Sequence, residues 1–147
     1  MNTKIKHQWI DALLSGQYIQ GKCHLRSWNN RFSVLGVLAD IAVKKNLGYW
    51  SRFNCLDSLC SGPPTHPYQF LLDKNRMTEK DFGHAVFFLP NSILTSTDLG
   101  FSNALYALQL NDSGLTFEEL ATEIKTDFQN SRIVHLSVPA AFSSVRS

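Results

Sequence analysis

A chain of 147 residues that is 44% hydrophobic and 18% charged has the composition of a folded protein and the length of one domain around one core, which excludes a wholly disordered chain. Ten Phe, four Tyr and three Trp supply large core side chains, and the longest unbroken apolar run, "AVFFL", falls far short of the ~20 residues that span a membrane as a helix. The net charge of +2 hides an asymmetry: residues 1–52 carry eight Lys/Arg and two Asp, and residues 53–147 carry six Lys/Arg and ten Asp/Glu. The basic residues are scattered rather than clustered, which favours two halves that complement each other over a surface for polyanions.

The N-terminus, "MNTKIKHQWIDALLSG", starts basic, but Gln8 and Asp11 break the apolar run that a signal peptide needs. Ile5, Trp9, Ala12 and Leu13 repeat at helical spacing and Gly16 follows, so residues 3–15 are expected to form an amphipathic helix. "QYIQGKCHLRSWNNR" lacks a helical period and is expected to be loop with short extended pieces. "FSVLGVLADIAVKKNLG" gives a second helix over 32–46, with Lys44 and Lys45 in its last turn and Gly48 just past it. Gly36 inside that helix costs roughly 1 kcal/mol against Ala, which points to a second backbone passing close by, with a merely tolerated glycine as the alternative.

"GYWSRF" suits a short strand, and "CSGPPTHP" an exposed loop. "YQFLL" and "HAVFFL" are expected to pair as a hairpin with a long loop; a helix over "TEKDFGHAVFFL" is the alternative. "PNSILTS" can start a short helix with Pro90 in its first turn. Two helices, near 103–111 and 116–128, follow as a packed hairpin, with Asn111, Asp112 and Gly114 making the turn and Thr116 and Glu119 forming a capping box. The tail begins with the strand-like alternation of "RIVHLSV" and ends in a loosely ordered extension over 129–147. With no internal repeat and no long linker, residues 1–147 are expected to be a single domain. The expected fold is α+β, mainly α, with helices packed on a small antiparallel sheet or hairpin.

"TFEELATEI" has the look of a helix from a DNA-binding helix-turn-helix. Glu118, Glu119, Glu123 and Asp127 against one Lys125 would repel phosphates, and the β-like "QNSRIVHLSVP" stands where a reading helix should follow. Nucleic acid is therefore not the expected partner.

Three stretches resemble a family of small, uncharacterised proteins encoded by phages and bacterial mobile elements. The first holds Trp9, Ala12, Leu13, Ser15, Gly16, Tyr18, Gln20, Gly21, Leu25 and Arg26. The second holds Leu35, Gly36, Val37, Leu38 and Asp40. The third is "LNDSGLTFEELATEI", Leu110 to Ile124, preceded by Leu89 and Pro90. Together they frame residues 9–124. The resemblance implies no activity. Where that family often has cysteines, this chain has Ser33, Val34 and Ala39, a pattern that fits small buried packing positions.

Chemistry leaves few candidates. Cys55-x4-Cys60-x5-His66 lacks the matched second pair of a structural zinc site, so no metal is expected. No nucleophile elbow and no phosphate-binding loop is present, and His7, His24, His66, His84 and His135 are dispersed. No catalytic residue and no cofactor is expected. Asp40, alone in an apolar helix, is expected to be half-buried against Arg26 or Arg31, as an ion pair or on a solvated face. The candidate binding residues are Tyr18, Gln20, Arg26 and Trp28, which can line a groove or simply cover the core edge, together with Asp40, Asn111 and Asp112. Three cysteines, one necessarily unpaired, suit reduced thiols and a cytoplasmic location.

The leading expectation is a non-enzymatic accessory protein of a mobile element that binds a host or phage protein, away from any membrane. A small hydrolase-like enzyme with an unrecognised site, and nucleic-acid binding by the basic N-terminal third, are the alternatives. The "HAVFF" edge can also pair two copies into a dimer.

Overall fold

A computed structural model describes residues 1–52, 66–72 and 85–128. Its first helix, α1 (Thr3–Leu14), starts at Asn2, whose side chain accepts from the Ile5 amide at 3.1 Å. Trp9 and Leu13 form its buried stripe. Two-residue strands β1 (Ile19–Gln20) and β2 (Arg31–Phe32) pair in parallel, Ile19 opposite Arg31. These are the extended pieces expected in that loop.

Helix α2 (Val34–Lys44) is the centre of the molecule. Ser33 caps it by accepting from the Gly36 amide at 3.2 Å, and every residue from Val34 to Ala39 is buried. Ser33, Val34 and Ala39 are all fully buried packing positions. Gly36 has the reason its sequence context suggested: a Cβ there would stand 1.7 Å from the Leu25 carbonyl oxygen. The same carbonyl accepts from Ser33 N at 3.3 Å, so the loop before β2 crosses directly over the first turn of the helix. Gly48 lies past the end of α2, as expected, but the residue that closes the helix in the left-handed region is Asn46 (φ 62°). Leu47 N bonds Ala42 O and Asn46 N bonds Val43 O, each at 3.0 Å, which is a Schellman closure. Gly48 instead opens β3 (Gly48–Arg52), where the Phe70 ring and Leu71 carbonyl leave no room for a Cβ.

Strand β4 (Tyr68–Leu72) pairs antiparallel with β3, Trp50 opposite Phe70. The expected hairpin of "YQFLL" with "HAVFFL" is therefore met only in part. The first run is a strand whose ladder partner is "GYWSR"; among the described residues the second meets it antiparallel at one bridge, Phe70 with Ala85. Both runs are apolar and aromatic, so composition could not say which of three such segments pair.

Three helices complete the described residues: α3 (Asn91–Ser96), with Pro90 just before its first residue and no side-chain cap, α4 (Phe101–Ser113) and α5 (Phe117–Lys125). Asn111 and Asp112 do not form the turn between the last two. They are the last turn of α4, and Gly114 (φ 114°) begins the reversal that leads through Leu115 and Thr116 into α5. The capping box of Thr116 and Glu119 is present. Phe117, Leu120, Ala121, Ile124 and Phe128 are buried, as their spacing predicts.

The fold is α+β, mainly α. α1 packs on α5 and α2; α2 packs on α4 and β3. Trp9, Leu25, Leu35, Leu38, Phe70, Ile93, Leu120 and Ile124 are its most deeply buried large apolar side chains. The sequence expectations for Cys55, Cys60, His84 and the tail beyond Phe128 fall outside the described residues.

Candidate functional site

The seven candidate residues gather into two polar clusters and a turn. The first cluster centres on Asn111, which is fully buried. Its Oδ1 accepts from Val34 N at 3.1 Å and from Gln20 Nε2 at 3.0 Å. Its Nδ2 donates to Gly21 O at 2.9 Å and to Asp112 Oδ1 at 3.1 Å. Gln20 Nε2 also reaches Leu115 O at 2.7 Å, and Asp112 Oδ1 accepts from Cys23 N at 3.0 Å. Val34 is the first residue of α2, so its N–H has no partner within the helix. Asn111 supplies that partner and holds the loop over residues 20–23 at the same time. Gln20, Asn111 and Asp112 thus come together, as a tie between α4, α2 and the loop.

The second cluster centres on Asp40, whose side chain is 17% exposed. Tyr18 donates its hydroxyl proton to Asp40 Oδ2 at 2.5 Å, and Trp50 Nε1 donates to Asp40 Oδ1 at 2.9 Å. Lys44 lies one turn along α2, 3.6 Å from Asp40 Oδ2, and donates to the Tyr18 hydroxyl at 3.1 Å. The expected pairing of Asp40 with Arg26 or Arg31 is overturned. A charge at i+4 on the same helix face is closer than either loop arginine. Burial, then the bond to Asp40, raises the pKa of Tyr18; the bond with Tyr18 is the main cause of the raised pKa of Lys44. At neutral pH Tyr18 therefore keeps its proton and Lys44 its charge. Such a set clamps β1's approach, α2 and β3 together.

Arg26 has a different setting. Its guanidinium lies 3.9 Å from the centre of the Tyr68 ring, with the Phe32 and Trp50 rings at 5.4 and 5.6 Å. Nε and Nη2 both donate to Asn30 Oδ1, at 3.0 and 2.8 Å. Trp28 is exposed in the turn between Arg26 and Arg31. Tyr18, Gln20, Arg26 and Trp28 therefore do not line one groove: the first two turn inward to separate clusters.

A family model described as a domain of unknown function, DUF8296, matches residues 1–128. The chain belongs to the DUF8296 family. The matched region holds every residue of both clusters. No curated protein and no solved structure matches the chain.

Within this DUF8296 region, a depression of about 380 Å³ lies against α3, lined by Leu47, Leu72 and Ile93 with Asn91, Ser92 and Thr95. It contains none of the seven candidates. Among the described residues, no group of three His, Cys, Asp or Glu side chains is placed to hold a metal ion, and no helix is long and apolar enough to cross a membrane. Sequence reasoning missed Lys44, Trp50 and Tyr68. The Asp40–Lys44 spacing was a visible signal. The contributions of Trp50 and Tyr68 depend on the β3–β4 pairing, which no local pattern encodes.

Proposed function

We propose that this DUF8296 chain is an accessory protein of a phage or mobile element that acts by binding another protein rather than by catalysis. The observation that carries this reading is the division of labour among its side chains. The polar groups best suited to chemistry, Asp40 and Asn111, spend their hydrogen bonds on tying elements of the fold together. Large apolar side chains are meanwhile left outside: Trp28 is 48% exposed, Tyr49 53%, Phe87 57% and Phe101 61%. Aromatic side chains that stay in water are the usual anchors of protein–protein contacts. The phage or mobile-element setting rests on the sequence resemblance alone. The test is affinity capture with the tagged full chain from bacterial lysate at two salt concentrations, with bound proteins and nucleic acids both identified. One stoichiometric protein retained at both salts is the expected result. Nucleic acid lost at the higher salt would replace this reading with a basic-surface one, and an empty column would turn attention to enzymatic activity.

A further inference from the structure

Arg26 carries a charge that nothing among the described residues neutralises. Asp40, which accepts from the Trp50 whose ring faces Arg26, is occupied by Tyr18, Trp50 and Lys44, and Asp112 by Cys23 N and Asn111. Asn30 takes the Nε–Nη2 edge of the guanidinium with a neutral amide oxygen. The Nη1–Nη2 edge has no acceptor among the described residues. Stacking on Tyr68, with Phe32 and Trp50 close by, fixes the plane of the group. The side-chain entropy of an arginine is thus already spent before any ligand arrives, which is the condition for tight bidentate recognition.

We propose that Arg26 is a preformed receptor for one carboxylate, supplied by a Glu or Asp side chain of the protein partner. The inference rests on the protein-binding reading above and names the chemistry of that partner. A single held guanidinium matches a single negative charge and the planar two-oxygen fork of a carboxylate. A nucleic-acid backbone would call for several held cations. Trp28, exposed in the turn that also carries Asn30, offers an apolar surface for the stem of an acidic side chain or its neighbours.

The test follows the Arg26 Nε–H and Trp28 Nε1–H signals of the full chain by two-dimensional NMR. The probes are acetyl-Gly-Glu-Gly-amide, its Gln counterpart and inorganic phosphate. The expected result is a saturable shift at Arg26 with the Glu peptide, and binding at least about tenfold weaker for the Gln peptide and for phosphate. Two variants sharpen it. Arg26→Lys keeps the charge but loses the fork and should weaken Glu binding about tenfold. Asn30→Asp places a carboxylate on the guanidinium within the fold; it should keep the fold and weaken Glu binding at least as much. No saturable shift at Arg26, phosphate binding as tight as the Glu peptide, or unchanged Glu binding in Asn30→Asp would each overturn the proposal. If the partner captured from lysate is held equally by wild type and Asn30→Asp, the carboxylate receptor falls while the protein-binding reading stands.

Discussion

Asn111 makes four hydrogen bonds from a site that water does not reach. Replacing it with Ala leaves the Val34 N–H, the Gly21 carbonyl and the Gln20 amide short of partners at once. Each buried polar group left unpaired costs about 1–3 kcal/mol. Asn111→Ala should therefore lower unfolding free energy by about 3 kcal/mol, read from the urea midpoint; a loss below ~1 kcal/mol would show that the cluster rearranges freely. Tyr18 gives a pH-dependent counterpart. Its folded pKa is raised above the ordinary 10.0, so the folded chain holds that proton more tightly than the unfolded one. The stability this confers is fully present below the unfolded value and is lost as pH rises through the folded value. Wild type should lose stability more steeply than Tyr18→Phe once pH passes 10.0, and parallel curves would count against the Tyr18–Asp40 clamp. Sequence alone picked out Tyr18, Gln20, Asp40, Asn111 and Asp112, but it named a partner only for Asp40, and that one was wrong. Residue type shows that a buried polar group needs partners; which ones it finds depends on which loop crosses which helix.

At the level of elements, α1, α2, α4 and α5 were legible because their signals lie within a few residues: apolar spacing, Gly16 after α1, Lys44 and Lys45 at the end of α2, Gly114 between α4 and α5, and the capping box of Thr116 and Glu119. Strand pairing was not legible. β3 and β4 are separated by residues 53–67, and three apolar aromatic runs competed for the same role. Gly36 shows how a local anomaly can report a long-range contact: its helix penalty pointed to a close backbone, and the Leu25 carbonyl is that backbone. Two glycines separate contact from conformation. Gly36→Ala should cost about 3 kcal/mol or more, because the Leu25 backbone has to move. Gly114→Ala meets nothing within 4 Å but sits at φ 114°, and should cost only about 1 kcal/mol through backbone strain. Thermal midpoints of the two variants decide between these, and equal losses would contradict the close crossing of the loop over α2.

Over the described residues, the molecule has an apolar core, tied at two points by polar clusters, and an outside that keeps several aromatic side chains in water. α2 collects both kinds of tie: Asn111 at its first amide and Asp40 near its end. Around it, Trp28, Tyr49, Phe87 and Phe101 remain exposed, with Phe87 stacked on His24 at 5.2 Å and Phe101 against Phe88 at 5.3 Å. Such side chains add little to folding, so their substitution should leave stability within about 1 kcal/mol while removing anchors for a partner. The measurement that bears most directly on this is affinity capture from bacterial lysate, comparing wild type with a variant carrying Trp28→Ser, Tyr49→Ser, Phe87→Ser and Phe101→Ser. The predicted result is one protein held stoichiometrically by the wild type at low and high salt, and lost by a variant that unfolds at nearly the same temperature. A wild type that retains no protein, or a variant that retains the partner undiminished, would contradict the account.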